Sequence, residues 1–289
     1  MSLRTLLAMV NGGDGDSATL DVAAAVARRF AAHIDVLHVK GDPRDAVPFL
    51  GEGASGALIE QIMAAAQRDA EGRSGRARAN FEAWRQGAGL AVVAHAGGAG
   101  PSVQWSEEVG PEDEWIGRRG RLSDMIVLAQ PGANGSVSST IAFEAALLDT
   151  GRPVLTAPAT AGAGAKIASA PTVVAWNGSI EAARAILAAM PFIAASPAVL
   201  VMVVSEGSAI ADAEALIRYL AWHGVKAEAK TLQSKTMAVG AEFLEEASRL
   251  SAGLLVMGGY THSRVRQMVF GGVTKHVLAN AKLPVLFAH

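Results

Sequence analysis

One pattern occurs twice in this chain, once on each side of Ala157-Pro158-Ala159-Thr160-Ala161-Gly162-Ala163-Gly164-Ala165, and that repetition limits what the chain can fold into. In the first half, the apolar run Leu6 to Val10 leads into Asn11-Gly12-Gly13 and a helical stretch from Ser17 to Phe30. In the second, Thr172 to Trp176 leads into Asn177-Gly178-Ser179 and a helical stretch from Ile180 to Met190. The next apolar runs are Ile34 to Val39 and Ala198 to Val204. Later, Arg121-Leu122-Ser123 precedes Ile126-Val127-Leu128, and Arg249-Leu250-Ser251 precedes Leu254-Leu255-Val256. The halves close on Arg152-Pro153-Val154-Leu155 and Leu283-Pro284-Val285-Leu286. Continuous apolar strands alternating with helices mark βαβ units, whose parallel sheet is covered on both faces. The expectation is two α/β domains in tandem, 1–157 and 171–289, with a flexible small-residue linker over 158–170.

The halves differ in the middle. Residues 55–87 read as a long, charge-rich helical insert with Arg68, Arg73, Arg76 and Arg78 on a solvated face. Strands are expected over Ala91 to Ala96 and Ser102 to Val109, with Trp84, Trp105 and Trp115 capping the first core. Lys plus Arg is 25 against 27 for Asp plus Glu, a net charge of −2 that argues against nucleic acid as a partner. There is no cysteine, which removes disulfides, zinc–thiolate sites and cysteine nucleophiles from consideration. The start is apolar from Leu6, but Asn11 to Asp16 interrupts it too early for a signal peptide. No run reaches the ~18 apolar residues of a membrane span, so the expected location is the cytoplasm.

The most informative stretch runs from Val256 to Val277. A buried strand ends on Gly258-Gly259, a polar loop with His262, Ser263, Arg264 and Arg266 comes next, and Gly271-Gly272 opens a helix bearing Val273, Thr274 and Lys275. Ligands of open α/β sheets bind beyond the carboxyl ends of strands. A glycine-rich helix entry presents bare amides and the positive end of the dipole, which suit phosphate.

Here the chain resembles the universal stress protein family in its tandem-domain form. The nucleotide motif of that family is glycine, two residues, glycine, nine residues, then glycine followed by serine or threonine. Gly258 and Gly271 fall on its first and third glycines, whereas Thr261 replaces the second glycine and Gly272 the serine or threonine. Asn177 stands where the family often has an aspartate that contacts adenine or ribose. The resemblance implies Rossmann-like folds of the adenine nucleotide alpha hydrolase type, each a mainly parallel five-stranded sheet with helices on both faces. It also implies that the strands at 153–155 and 284–286 pair antiparallel, so that one chain resembles the family's dimer, and that further homodimers form. The expected ligand is ATP or a related adenine nucleotide, with or without Mg2+, bound in a stress response without efficient turnover. The candidate binding residues are Asn177, Gly178, Ser179, Val203, Gly258, Gly259, His262, Ser263, Arg264, Gly271, Gly272, Val273 and Thr274. Backbone amides of Gly258, Gly259, Gly271, Gly272 and Val273 would hold phosphate, with Ser263, Arg264 and Thr274 assisting.

In the first half, Gln130-Pro131 replaces the paired glycines and marks a degenerate partner domain. Gly13-x-Gly15-x-x-Ala18 fits a dinucleotide fingerprint, but Val39-Lys40-Gly41 stands where that fingerprint needs an acid. A glycine turn with Asp16 or Ser17 capping the helix is the simpler account. No catalytic constellation and no metal-ligand spacing is visible, and His276 reads as structural or exposed. Two alternatives stay open: a scaffold whose partner surface is the first-half insert, and a weak nucleotide hydrolase.

Overall fold

The computed structural model describes residues 3–47, 56–94, 100–132, 137–160, 162–167, 169–204, 212–232, 237–259 and 272–289. The first half supplies β1 (Thr5–Val10), α1 (Asp16–Phe30), β2 (His33–Lys40), α2 (Gly56–Ala88), β3 (Ala91–Val92), β4 (Ser102–Val109), α3 (Glu112–Gly120), β5 (Met125–Ala129), α4 (Val137–Asp149) and β6 (Val154–Ala157). The second supplies β7 (Thr172–Trp176), α5 (Ile180–Ile193), β8 (Val199–Val204), α6 (Ala213–Trp222), β9 (Ala227–Leu232), α7 (Met237–Arg249), β10 (Leu254–Gly258), α8 (Gly272–Asn280) and β11 (Val285–Ala288).

The eleven strands form one sheet in the order β3-β4-β2-β1-β5-β6-β11-β10-β7-β8-β9. Every pairing is parallel except β6 with β11, where Leu155 faces Leu286 and Val154 faces Phe287. That antiparallel seam falls on the two Pro-Val-Leu segments. The first half has six strands rather than five, because β3 adds a two-residue edge; the strand expected to reach Ala96 stops at Val92. Two α/β units thus share a single sheet.

Strand alternation sorts the core into two layers. Leu6, Ala8, Val10, Val174, Leu254 and Val256 face α1, α2, α5 and α6. Leu7, Met9, Val173, Ala175, Leu255 and Met257 face α3, α4, α7 and α8. Across the seam, Phe143 of α4 meets Phe287 of β11 edge to face at 5.3 Å.

Two expectations are corrected. The described part of the 158–170 segment is anchored at points: Gly164 and Ile167 are buried, and a Cβ on Gly164 would lie 2.9 Å from the Asp21 carbonyl of α1. The arginines of α2 do not form a purely solvated face. Arg76 Nε donates to the Gly12 carbonyl at 3.1 Å, and the Arg78 guanidinium lies 5.2 Å from the Trp105 ring.

On α7, Glu246 accepts hydrogen bonds from Lys230 of β9 and, at 2.8 Å, from Arg249 Nε. The Lys230 bond first, and then Arg249, hold its carboxyl below the ordinary glutamate range. Because the folded-state value is the lower one, this contribution is complete above the unfolded glutamate value of about 4.3 and is lost as pH falls through the folded value. Glu246→Gln is therefore expected to flatten the acid side of the stability profile, read as urea midpoints against pH. An acid limb as steep as that of the parent chain would refute the assignment.

Candidate functional site

The repeated turn after the first strand of each unit is built identically. Gly12 and Gly178 sit at φ +80° and +78°, a region open to glycine and costly for most other residues. The Asn11 side-chain oxygen accepts from the Gly13 amide at 3.0 Å, and that of Asn177 from the Ser179 amide at 3.1 Å. The Asn177 oxygen is thus engaged in its own turn, and its Nδ2 is what it offers to a ligand. Ser179 caps α5, its hydroxyl accepting from the Ala182 amide at 3.1 Å. Ser179→Ala is expected to lower stability by about 1 kcal/mol in a denaturant melt. No change would mean that the cap carries no weight.

Beyond the turn the two units diverge. In the first, the Asp16 carboxylate accepts from the Asn11 amide at 3.0 Å, the Gly12 amide at 3.0 Å and Asn80 of α2 at 3.1 Å. Asp16 is buried, and α1 has no side-chain cap at Gly15, so Asp16 serves the turn and not the helix end. A Cβ on Gly12 would run into the Arg73 carbonyl of α2. The insert and Asp16 together close the first unit's turn. In the second unit the repeat puts Ala182 where Asp16 stands. Among the described residues, nothing accepts from the Asn177 or Gly178 amide.

This second turn lies beside the end of β10, because the register that sets Val256 against Val174 brings Gly258 alongside Trp176. The two glycines there have packing reasons. A Cβ on Gly258 would sit 2.6 Å from the Ala182 nitrogen and 2.8 Å from the Glu181 carbonyl carbon, at the first turn of α5. The first unit answers the same crowding from the other side, with Gly15 on the helix and Ala129 on the strand, 2.7 Å from where a Gly15 Cβ would be. Gly259 donates its N–H to the Ala288 carbonyl at 2.9 Å, and a Cβ there would lie 2.8 Å from Leu147 of α4. Gly259 is therefore corrected from phosphate donor to seam residue.

Other expectations change as well. Val203 is buried in the core beneath α5 and α6, so its side chain cannot reach a ligand. Thr274 is likewise buried, in the first turn of α8. Gly272 and Val273 open α8, where the first amides lack intrahelical partners. His276, expected to be structural or exposed, is half-buried and packs against Gly240 of α7. His262, Ser263, Arg264 and Gly271 lie outside the described residues, as does Thr261. Among the described residues no group of three or more His, Asp or Glu side chains could hold a metal ion, and no helix is long and apolar enough to cross a membrane.

Sequence reasoning missed the part played by Gln130. Its Nε2 donates to the Leu278 carbonyl at 2.7 Å and the Ala281 carbonyl at 3.1 Å, at the C-terminal end of α8. The strand pairings put Ala129-Gln130, and not the expected Gln130-Pro131, at the place of Gly258-Gly259, and Gln130 is a bridge to the second unit. The Asp16-for-Ala182 exchange was available by aligning the two repeats.

Comparison with known proteins bears on the second unit directly. Residues 171–289 match the Universal stress protein family. No curated protein sequence matches the chain. Among solved structures, a universal stress protein from Archaeoglobus fulgidus DSM 4304 is similar over 100% of this chain and 99% of its own, at 15% identity and a TM-score of 0.69. A functionally unknown protein from Pseudomonas aeruginosa PAO1 is similar over 99% of this chain and 92% of its own, at 13% identity and a TM-score of 0.57. At such identities the likeness is one of fold, and it extends over both units.

Proposed function

We propose, from the premise that residues 171–289 are a universal stress protein domain, that this domain binds an adenine nucleotide of the ATP type and acts by binding rather than by turnover. The observation that carries the reading is the contrast between the two turns. Asp16 satisfies the Asn11 and Gly12 amides internally, whereas among the described residues nothing accepts from those of Asn177 and Gly178, which in this reading serve an incoming acceptor. Asn177 Nδ2 adds a donor for base or ribose, and the first-turn amides of α8 at Gly272 and Val273 suit phosphate. Gly271 and the loop residues His262, Ser263 and Arg264 belong to the proposal on sequence grounds. Magnesium would arrive on the phosphates. In this reading the chain is cytoplasmic, with domain limits of 1–157 and 171–289. The first domain is a closed partner joined at the β6–β11 seam in the manner of the family's dimer. Further homodimers are part of the same proposal.

Calorimetric titration with ATP and magnesium tests it. Saturable binding at one site per chain is the expected result, and absence of both heat and a melting shift would overturn it. A second reading, docking of a protein partner, has its own observation. Ile180, Leu187 and Tyr219 are 66%, 56% and 41% exposed and line a groove of about 550 Å³ between α5 and α6. That surface lies on the second unit rather than on the first-half insert.

A further inference from the structure

We propose that Gln130, a residue of the first unit, holds α8 in position and thereby sets the affinity of the second unit's nucleotide site. The inference rests on the nucleotide-binding reading of that site. Gln130 is itself well anchored. Its N–H donates to the Ala157 carbonyl at 2.8 Å, extending the β5–β6 pairing, and Pro131 behind it is buried.

The side chain then reaches across the seam to two carbonyls, Leu278 at 2.7 Å and Ala281 at 3.1 Å. A helix's last turn leaves its carbonyls without intrahelical donors, so two donors from one amide complete that end. The chemistry fixes which way the amide points, since turning it would set its oxygen against two other oxygens. As a consequence the Gln130 Oε1 is buried with no hydrogen-bond partner among the described residues.

The clamp works in one direction. At the equivalent place in the second unit, Gly259 makes the matching backbone bond to Ala288 but has no side chain, and Leu147 fills the space. The end of α4 is held from within its own unit, by Arg121 Nε on the Asp149 carbonyl at 2.9 Å and by Thr150 Oγ1 on the Ala146 carbonyl at 2.5 Å. A nine-residue helix moves as one body, so the first-turn amides of α8 move with its far end. Coupling of this kind is reciprocal: whatever the clamp adds to nucleotide affinity, the nucleotide adds to the clamp.

Gln130→Met keeps the length of the side chain and removes its donors. Two measurements are made on parent and variant: hydrogen exchange of the 278–282 amides without ligand, and calorimetric titration with ATP and magnesium. In the variant, exchange is expected to be about tenfold faster and ATP affinity about tenfold weaker, the scale of a lost hydrogen-bond contact. In the parent chain, ATP is expected to slow exchange at the same amides. Unchanged exchange in the variant would overturn the clamp. Faster exchange with unchanged affinity would overturn the coupling. A parent chain that binds no ATP, beside a variant with accelerated exchange, would overturn the nucleotide reading and the coupling while leaving the clamp supported.

Discussion

Ala182→Asp is expected to weaken ATP binding by at least about tenfold while leaving the chain folded. The variant carries into the second unit the carboxylate that closes the first. At Asn11 and Gly12, Asp16 accepts both turn amides at 3.0 Å. The turn at Asn177 and Gly178 has the same backbone, with the same positive φ and the same Asn-to-amide bond. A carboxylate there would satisfy the two amides and place negative charge beside any phosphate. Two unit charges 4 Å apart at a protein surface interact by about 4 kcal/mol at an effective dielectric of 20, more than enough for a tenfold effect. The same substitution is expected to raise the melting temperature, because hydrogen bonds to a charged group contribute about 1.5–3 kcal/mol. Calorimetry and thermal melting on parent and variant decide it. Equal affinities would mean that no ligand atom uses the 177–178 amides.

Gly258→Val is expected to cost about 3 kcal/mol or more of stability with no nucleotide present. Its Cβ would fall 2.6 Å from the Ala182 backbone nitrogen, and backbone cannot rotate aside as the end of a side chain can. Relief requires the first turn of α5 to move away from β10, and overpacking of this sort costs roughly 1–3 kcal/mol even where side chains can adapt. Urea unfolding of the ligand-free protein is the measurement. An unchanged midpoint would show that α5 yields freely and that this glycine is kept for another reason. The result also governs how motif variants are read, since lost binding in a Gly258 variant would reflect a displaced α5 before any lost phosphate contact.

Much of the fold was legible from local pattern. The strand at Ser102 to Val109 sets Val103 and Trp105 in alternation with polar residues, and the long helix over α2 has a helix-forming composition. The site was legible only in part. Asn177, Gly178 and Ser179 could be read as a turn and helix cap because an Asx turn and an N-cap are made by neighbours in sequence. Val203, Gly259 and Thr274 could not be placed, because spacing along a strand or helix does not say which side is covered. Val203 is enclosed beneath two helices, Thr274 is buried in α8, and Gly259 faces a leucine from the other unit.

Sequence alone determined that this chain is two α/β units, since hydrophobic period and turn chemistry act over a few residues and are written in order. It also showed the likeness of the second unit to the Universal stress protein family, through glycine spacing and the Asn-Gly-Ser turn. The β6–β11 pairing was already implied by the resemblance; tertiary structure decided the rest, that Asp16 and α2 close the first turn and that Gln130 reaches α8 from 148 residues away. Those contacts depend on where the folded sheet brings distant side chains, and nothing in the neighbourhood of Gln130 in sequence announces the carbonyls it meets.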